Sequence, residues 1–400
     1  SFFGECRIEI ENTSFRDNSG SGMYVITDMG PFDDGTGNVV SPVSTIDIDI
    51  NSSFFQANSG WGIVEDFNGW DTPDGSPAPP WTWNGPTRTT LWYNLSMSYS
   101  QVLENQAGGW MAYPNDGWSN ADQVTARNVT DTLFTDNRGP ALYMEPNHDV
   151  RGGGDVHDSF TLGTCRVIDN SEGIISYLGN SNYGYFSEVH LNDCRIWDNG
   201  GEAIVVTGPR STDGIHTWGV SRVLGMMYHV DDCSINSRMR FELMGADDSL
   251  RGDWDAMMGL QFTNNIVDVD EEVTQFFLGA YPYCEDFTAW ADIGNNKFYR
   301  GFIENGVHLE MFGGWSLNMD AKVHDMMIDT PVGSGLHFVV GTLVPSVNPH
   351  TVEGAIMVEN VTVEDAGSNG INYTVEHREM IGAKSLAELE FRERYGLVVL

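Results

Sequence analysis

The chain has 400 residues, of which 40% are hydrophobic and 19% charged, and its formal net charge is −37. The hydrophobic content excludes a disordered acidic chain. The negative charge and the absence of a Lys/Arg cluster make duplex nucleic acid and anionic membrane surfaces poor partners. No run has the features of a signal peptide or a membrane span, so direct membrane insertion is not expected. The negative charge is typical of an extracellular protein in salt water or of a protein that binds divalent cations. The alternative explanation is that it only keeps a long Gly-rich chain soluble.

A phrase of alternating apolar and polar residues, closed by an Asn-containing turn, recurs along the chain. Residues 8–25 and 46–64 align through Asn18 and Asn58. Further copies lie at 95–110, 124–142, 160–175, 189–206 and 355–371, with weaker ones at 227–244, 259–279, 288–311 and 316–340. A constant phrase at variable spacing predicts stacked coils with loops inserted at the corners. The turn asparagines are expected to form a hydrogen-bonded ladder.

This pattern resembles the right-handed parallel β-helix of the pectin-lyase-like repeat family. The resemblance implies an all-β solenoid over residues 1–380, a rod of roughly 50 Å at the usual strand spacing. Because the family includes lyases, hydrolases, adhesins and surface spacers, the fold does not select a function. Residues 383–395 have helical periodicity. Residues 381–400 are therefore predicted to form a helix and strand that cap the stack or lead to a following domain, in a chain that resembles a segment of a longer protein.

The five cysteines are too few and too scattered for a disulfide framework, and no CxxC spacing suggests zinc. Cys165, Cys194 and Cys233 occupy matching positions in three copies of the repeat. Free cysteine behaves as a small apolar residue. These three are therefore predicted to be buried free thiols stacked inside the coils.

Four insertions interrupt the repeats, at residues 66–90, 145–158, 207–223 and 245–258. Loops on a rigid scaffold commonly carry function, although these could equally shield the sides of the stack. The first insertion contains Trp70, Trp81 and Trp83, whose rings could stack on sugars or could pin a Pro-rich loop in place.

The fourth insertion is acidic. Carboxylate oxygens suit Ca²⁺, and a nearby arginine could act as the base of a lyase. The alternative is a solvated acidic loop, since the spacing matches no regular calcium motif. The carboxylates are those of Asp247, Asp248, Asp253 and Asp255. No cofactor other than Ca²⁺ is expected.

Two short segments, 211–216 and 231–237, resemble the Asn-Thr-Asp-Gly and Asp-Asp-Cys elements of polygalacturonase-type glycoside hydrolases. The resemblance implies that Asp213, Asp231 and Asp232 surround the scissile bond of an inverting hydrolase. Ser211 replaces the asparagine of the first element, and the family's Gly-His-Gly and Arg-Ile-Lys elements are missing. The Asp-Cys pair also recurs in the preceding repeat, which favours a structural origin.

Six N-x-S/T sequons would be glycosylation acceptors in a secreted protein. All except Asn372 are expected at one corner of the repeat, where asparagine also suits the turn. The sequons are at Asn12, Asn51, Asn94, Asn128, Asn360 and Asn372.

The most consistent expectation is a non-catalytic segment of an extracellular or cell-surface protein. It would act as a rigid scaffold or adhesin, perform no chemistry, and have surface glycans or other surface proteins as partners. The alternative is a polysaccharide lyase or inverting glycoside hydrolase on the same fold. An enzyme needs convergent carboxylates, or an acidic cluster with an arginine, in one groove, whereas a scaffold needs only the ladder.

Overall fold

The computed structural model describes most of the repeats and contains strands but no helix in that part. The predicted helix at 383–395 lies outside the described residues. These residues are 4–26, 32–33, 39–40, 43–68, 89–116, 121–145, 156–177, 185–208, 222–244, 254–268, 276–281, 286–299, 305–313, 317–329, 331, 333–342 and 352–377.

Two parallel sheets form the solenoid, and every long strand of sheet A pairs with the long strand of the next coil. Sheet A has 20 strands and sheet B has 11. The long strands of sheet A are β1 (Gly4–Glu11), β6 (Val43–Asn51), β9 (Thr89–Ser98), β12 (Ala121–Thr130), β15 (Val156–Gly163), β18 (Tyr185–Asn192), β21 (Arg222–Asp231), β24 (Trp254–Thr263), β27 (Asp286–Gly294), β30 (Leu317–Asp329) and β32 (Val352–Glu364).

A short strand follows most long strands in sheet A, and one strand of sheet B closes each coil. The short strands are β2 (Ser14–Arg16), β7 (Phe54–Gln56), β10 (Gln101–Leu103), β13 (Leu133–Thr135), β16 (Arg166–Ile168), β19 (Arg195–Trp197), β22 (Ser234–Ile235), β25 (Ile266–Asp268) and β28 (Lys297–Tyr299). Sheet B comprises β3 (Met23–Ile26), β8 (Trp61–Asn68), β11 (Gly108–Asp116), β14 (Pro140–Met144), β17 (Glu172–Tyr177), β20 (Ile204–Gly208), β23 (Met239–Met244), β26 (Phe276–Tyr281), β29 (Asn305–Gly313), β31 (Ser334–Thr342) and β33 (Ile371–His377). A separate antiparallel pair joins β4 (Phe32–Asp33) and β5 (Val39–Val40).

We number the coils 1 to 11 by their sheet B strands. Within each described coil a long strand, a corner, a short strand, a second corner and a sheet B strand follow in order. Coils 10 and 11 differ, because β30 and β32 run through the position of the short strand. The inward positions alternate along the long strands of sheet A, and the two sheets enclose one apolar core. The prediction of an all-β parallel solenoid is confirmed.

The corners explain why Asn and Asp recur in the repeat. The residue at the first corner has a positive φ in coil after coil, from Asn12 at 49° to Asn264 at 59°. Asparagine and aspartate tolerate this left-handed conformation better than other side chains. The corner therefore selects these residue types for backbone reasons, independently of any chemistry they perform.

The predicted asparagine ladder is present at the second corner of coils 1 to 6. Each side-chain Nδ2 donates to the Oδ1 of the asparagine in the next coil at 2.7–3.1 Å. The same Oδ1 accepts the backbone N–H of the preceding asparagine at 3.1–3.2 Å. The members are Asn18, Asn58, Asn105, Asn137, Asn170 and Asn199.

A second ladder occupies the first corner and changes its chemistry along the axis. Hydroxyls fill it in coils 2 to 4, thiols in coils 5 to 7 and amides in coils 8 and 9. At both ends a backbone N–H donates to the side chain of the next coil, from Ser53 to Ser100 at 3.1 Å and from Asn265 to Asn296 at 2.8 Å. The members are Ser53, Ser100, Thr132, Cys165, Cys194, Cys233, Asn265 and Asn296.

The three predicted buried thiols are confirmed, and they should resist alkylation. Cys165, Cys194 and Cys233 are buried and free, whereas Cys6 is free and exposed. Burial disfavours the charged thiolate of all three stacked cysteines and keeps the reagent away from them. We expect iodoacetamide to label Cys6 in the native protein and the three stacked thiols only after denaturation. Peptide mass mapping checks this, and native labelling of all four at similar rates would contradict the stacked geometry.

The core of coils 2 to 5 also contains charge, which the repeat pattern did not predict. Arg127 is 0% exposed and donates through Nε to Glu65 and through Nη1 to Asp158. Tyr93 donates its hydroxyl to Glu65 at 2.9 Å. Burial raises the pKa of Glu65, although Arg127 opposes that effect. Burial would lower the pKa of Arg127, but Asp158 and Glu65 together raise it, so the guanidinium is charged. We call these three charged residues the buried triad.

Candidate functional site

The outward face of sheet A carries a cluster of half-buried apolar side chains in coils 6 to 9. They lie on outward positions of adjacent long strands, since their neighbours Met226, Met258 and Ala289 point into the core. We call this cluster the platform. It consists of Phe186, Met227, Met257 and Trp290.

Two strand glycines allow the platform side chains to lie close to the sheet. A Cβ added at Gly259 would lie 2.5 Å from both Met227 Sδ and ring atoms of Trp290. A Cβ at Gly225 would lie 2.5 Å from the ring of Phe186. Glycine inside a strand often marks such a close approach. The rings therefore cover the bare backbone of the neighbouring coils.

A row of polar side chains runs along the coil axis beside the platform. The rings of His190 and His229 stack with their centroids 4.4 Å apart and an interplanar angle of 1°. His229 Nδ1 is 3.0 Å from Gln261 Oε1, and the register continues through Asp292 to Lys322. These groups supply donors and acceptors along one line, next to the apolar rings.

One histidine at the end of this face is held between two carboxylates. His324 Nδ1 is 2.8 Å from Asp325 Oδ2, and its Nε2 is 2.7 Å from Asp292 Oδ1. The hydrogen bonds that His324 donates to Asp325 and to Asp292 raise the pKa of His324 against the effect of burial. The same bond to His324 lowers the pKa of Asp325. This arrangement favours an imidazolium paired with two carboxylates. The ion cluster connects coils 9 and 10 and also adds polar groups to the outward face of sheet A.

The two candidate catalytic residues that the structure describes, Asp231 and Asp232, lie at the first corner of coil 7. Asp231 ends β21, and its Oδ1 accepts hydrogen bonds from Thr263 Oγ1 and Asn264 Nδ2, both at 2.7 Å. Asp232 is exposed and takes the left-handed corner position, with a φ of 53°. Asp213 lies outside the described residues. The two described carboxylates therefore have the positions that the repeat itself prescribes, and the hydrolase assignment stays a prediction.

The loop candidates are mostly outside the described part of the chain. Trp70, Trp81 and Trp83 fall between β8 and β9, beyond the described residues. So do Asp247, Asp248 and Asp253, whereas Asp255 lies in strand β24. The proposed sugar-stacking loop and Ca²⁺ loop consequently stay predictions.

The sequons do not share one corner, which corrects the expectation. Asn12 and Asn360 take the left-handed corner position, but Asn51 is the last residue of β6. Asn94 and Asn128 point outward from the middle of β9 and β12. The left-handed corner of these coils is formed by Ser52, Tyr99 and Asp131, so the sequon asparagines lie one to five residues before it. The sixth, Asn372, lies on β33 and is half-buried.

Sequence reasoning missed the platform and the polar row. Trp290 and Phe186 look like ordinary strand residues, and only the register of the coils brings them beside Gly225 and Gly259. The available signal was a glycine inside a strand pattern of apolar residues. His190 and His229 are 39 residues apart in the sequence, although the coils stack their rings side by side.

The described residues contain no group of three or more His, Cys, Asp or Glu side chains that could hold a metal ion. Within the same residues no helix is long and apolar enough to cross a membrane. Comparison with known protein families, curated proteins and solved structures found no match to this chain.

Proposed function

We propose that this chain is a non-catalytic scaffold of an extracellular or cell-surface protein, and that the outward face of sheet A binds carbohydrate. The observation that carries the proposal is the platform beside the polar row. Aromatic rings offer large apolar faces with polar edges, which suit the C–H face of a pyranose. The adjacent histidines, amide and carboxylate suit its hydroxyls.

The dimensions of the face support a chain-like glycan. Phe186 and Trp290 belong to coils 6 and 9, so three strand spacings of about 4.8 Å, or about 14 Å, separate their backbones. A linear oligosaccharide of a few residues would lie along the axis over both rings. The net charge of −37 disfavours polyanionic glycans, so neutral glycans are the proposed ligand class.

The scaffold role is supported by the regularity of the stack. Two ladders of side chains connect the corners of successive coils by hydrogen bonds. The two described corner carboxylates, Asp231 and Asp232, have a structural explanation: Asp231 accepts local hydrogen bonds, and Asp232 takes the left-handed corner conformation. A rigid rod that presents a long outward face suits display or adhesion. The alternative, a polysaccharide lyase or inverting glycoside hydrolase, would require that the insertions complete an active site over this face.

Trp290→Ala should reduce binding to neutral glycans at least tenfold, because it removes the larger ring of the platform. The measurement is a glycan array followed by calorimetry on the best ligand. Trp92→Ala is the matched control, since Trp92 is an exposed tryptophan on the same sheet face in coil 3. Equal affinity in wild type and Trp290→Ala would refute binding at the platform. Release of new reducing ends or unsaturated products from polysaccharides would favour the enzyme alternative.

A further inference from the structure

Two stacked histidines on the outward face of sheet A form a pair with the chemistry of a metal site. His190 on β18 and His229 on β21 are partners in the strand register, and their rings are parallel with centroids 4.4 Å apart. The pair is accessible, since the side chain of His190 is 37% exposed. Imidazole nitrogen is a good ligand for Zn²⁺, Cu²⁺ and Ni²⁺. Adjacent strands therefore present two such ligands side by side to solvent.

The contact with Gln261 determines which nitrogen of His229 can bind a metal. His229 Nδ1 is 3.0 Å from Gln261 Oε1. Because an amide oxygen only accepts hydrogen bonds, Nδ1 carries the proton and donates it. The lone pair of the neutral ring is then on Nε2. Histidines that bind metals are usually held in this way, with one nitrogen donating to a protein oxygen and the other directed at the ion.

A carboxylate beside the pair favours a cation at this place. Glu188 lies two residues before His190 on β18, and its Oε2 is 3.5 Å from His190 Nε2. This separation exceeds the usual N–H···O hydrogen-bond range of about 2.7–3.2 Å. His190 Nε2 is therefore not held by a strong hydrogen bond, and the nearby negative charge attracts metal ions. The net charge of −37 adds to this attraction.

A second stacked pair, on sheet B, shows that stacking alone does not make such a site. The rings of His308 and His337 have centroids 4.5 Å apart. Both nitrogens of His337 have protein partners, with Nδ1 at 3.1 Å from Asn305 Nδ2 and Nε2 at 3.4 Å from Thr374 Oγ1. Nε2 of His308 is 3.0 Å from Glu310 Oε1, and this side chain is only 15% exposed. The nitrogens of the second pair are thus engaged within the protein.

We propose that His190 and His229 bind one divalent transition-metal ion through their Nε2 atoms, with water completing its coordination. Small rotations of the two exposed rings bring their lone pairs together on the ion. Cu²⁺ should bind more tightly than Zn²⁺, in accordance with the general order of affinities for nitrogen ligands. A site with two protein ligands agrees with the lack of any larger group of metal ligands in the described part of the chain. The inference does not depend on carbohydrate binding, because the metal ion alone is the probe.

The test is titration of the full chain with CuCl₂, followed by electron paramagnetic resonance. All variants carry Cys6→Ser, since the exposed Cys6 thiol would itself bind copper. We expect one equivalent of Cu²⁺ whose spectrum shows coupling to two imidazole nitrogens and which is missing in His229→Gln. Gln261→Leu should weaken the same equivalent by roughly 10- to 100-fold, because it removes the group that fixes the Nδ1–H form of His229.

His157→Gln is the matched control, because His157 is a single exposed histidine on the outward side of β15. This variant should retain the full copper signal. Zn²⁺ should raise the Tm of the parent and of His157→Gln but not that of His229→Gln, and the Tm values in a chelator should agree, which verifies folding. Equal Cu²⁺ affinity in the parent and His229→Gln would overturn the proposal, as would a spectrum with coupling to only one nitrogen.

Discussion

Arg127→Leu should lower the free energy of unfolding by about 3–5 kcal/mol, because it leaves two carboxylates buried without their shared cation. Arg127 is fully buried and pairs with Glu65 in coil 2 and Asp158 in coil 5. The loss should appear as a lower midpoint in urea with an unchanged slope. The loss of unfolding free energy should be larger than that caused by truncating any one apolar core side chain of similar size in the same coils.

Two control variants separate the buried charge from lost packing. Replacing Glu65, Arg127 and Asp158 together with leucine should return stability close to that of the wild type, since an apolar set can replace a buried ion network at little cost. Arg7→Leu removes an exposed ion pair with Asp49 and should change stability little. If Arg127→Leu were as stable as the wild type, Arg127 would not stabilise the two buried carboxylates, and the buried triad would not be a coupled ion network.

Asn137→Ala should lower the free energy of unfolding by about 3 kcal/mol, because it interrupts the asparagine ladder at its centre. Asn137 Oδ1 accepts two hydrogen bonds from Asn105, at 2.9 and 3.1 Å. Its Nδ2 donates to Asn170 at 2.8 Å and to the carbonyl of Val102 at 3.0 Å. All of these groups are buried. The backbone N–H of Asn105 would lose its acceptor, and Asn105 Nδ2, Asn170 Oδ1 and the Val102 carbonyl would each lose one hydrogen bond.

Amide hydrogen exchange provides the measurement with the best spatial resolution. In Asn137→Ala the backbone amides of the second corner should lose protection in coils 3 and 4 first. Asn18→Ala is the control, because Asn18 is exposed at the end of the ladder and only donates, to Asn58. A similar loss of stability in both variants would mean that the ladder does not act through buried, paired amides.

The repetitive features of the fold were predictable because each copy of the repeat contains the local residue pattern that produces them. Alternation of apolar and polar residues specifies which side of a strand is buried, and the Asn at the second corner is dictated by its stacking contact with the next coil. The stacked positions of Cys165, Cys194 and Cys233 followed from the same phrase. Each of these inferences needs only a residue and its equivalent in the next coil.

The sites were not predictable in the same way, because their parts are remote in sequence. Arg127 and Glu65 are 62 residues apart, and variable insertions hide the register that joins them. Polar residues at alternate positions of β12, Gln123 and Thr125 among them, were a visible departure from the apolar pattern. The alternating pattern indicates that Gln123 and Thr125 point inward, but it does not identify the residues of other coils that they face.

The amino-acid sequence by itself determined the coil, its corners and its ladders, since these depend on local conformation and on contacts that repeat. Only the tertiary structure decided which residues from non-equivalent positions of different coils come into contact. It placed Trp290 over Gly259, aligned His190 with His229, and gathered Glu65, Arg127 and Asp158 into one core. The physical reason is that insertions of variable length separate the coils in the sequence, whereas strand pairing and core packing decide which residues face each other across coils.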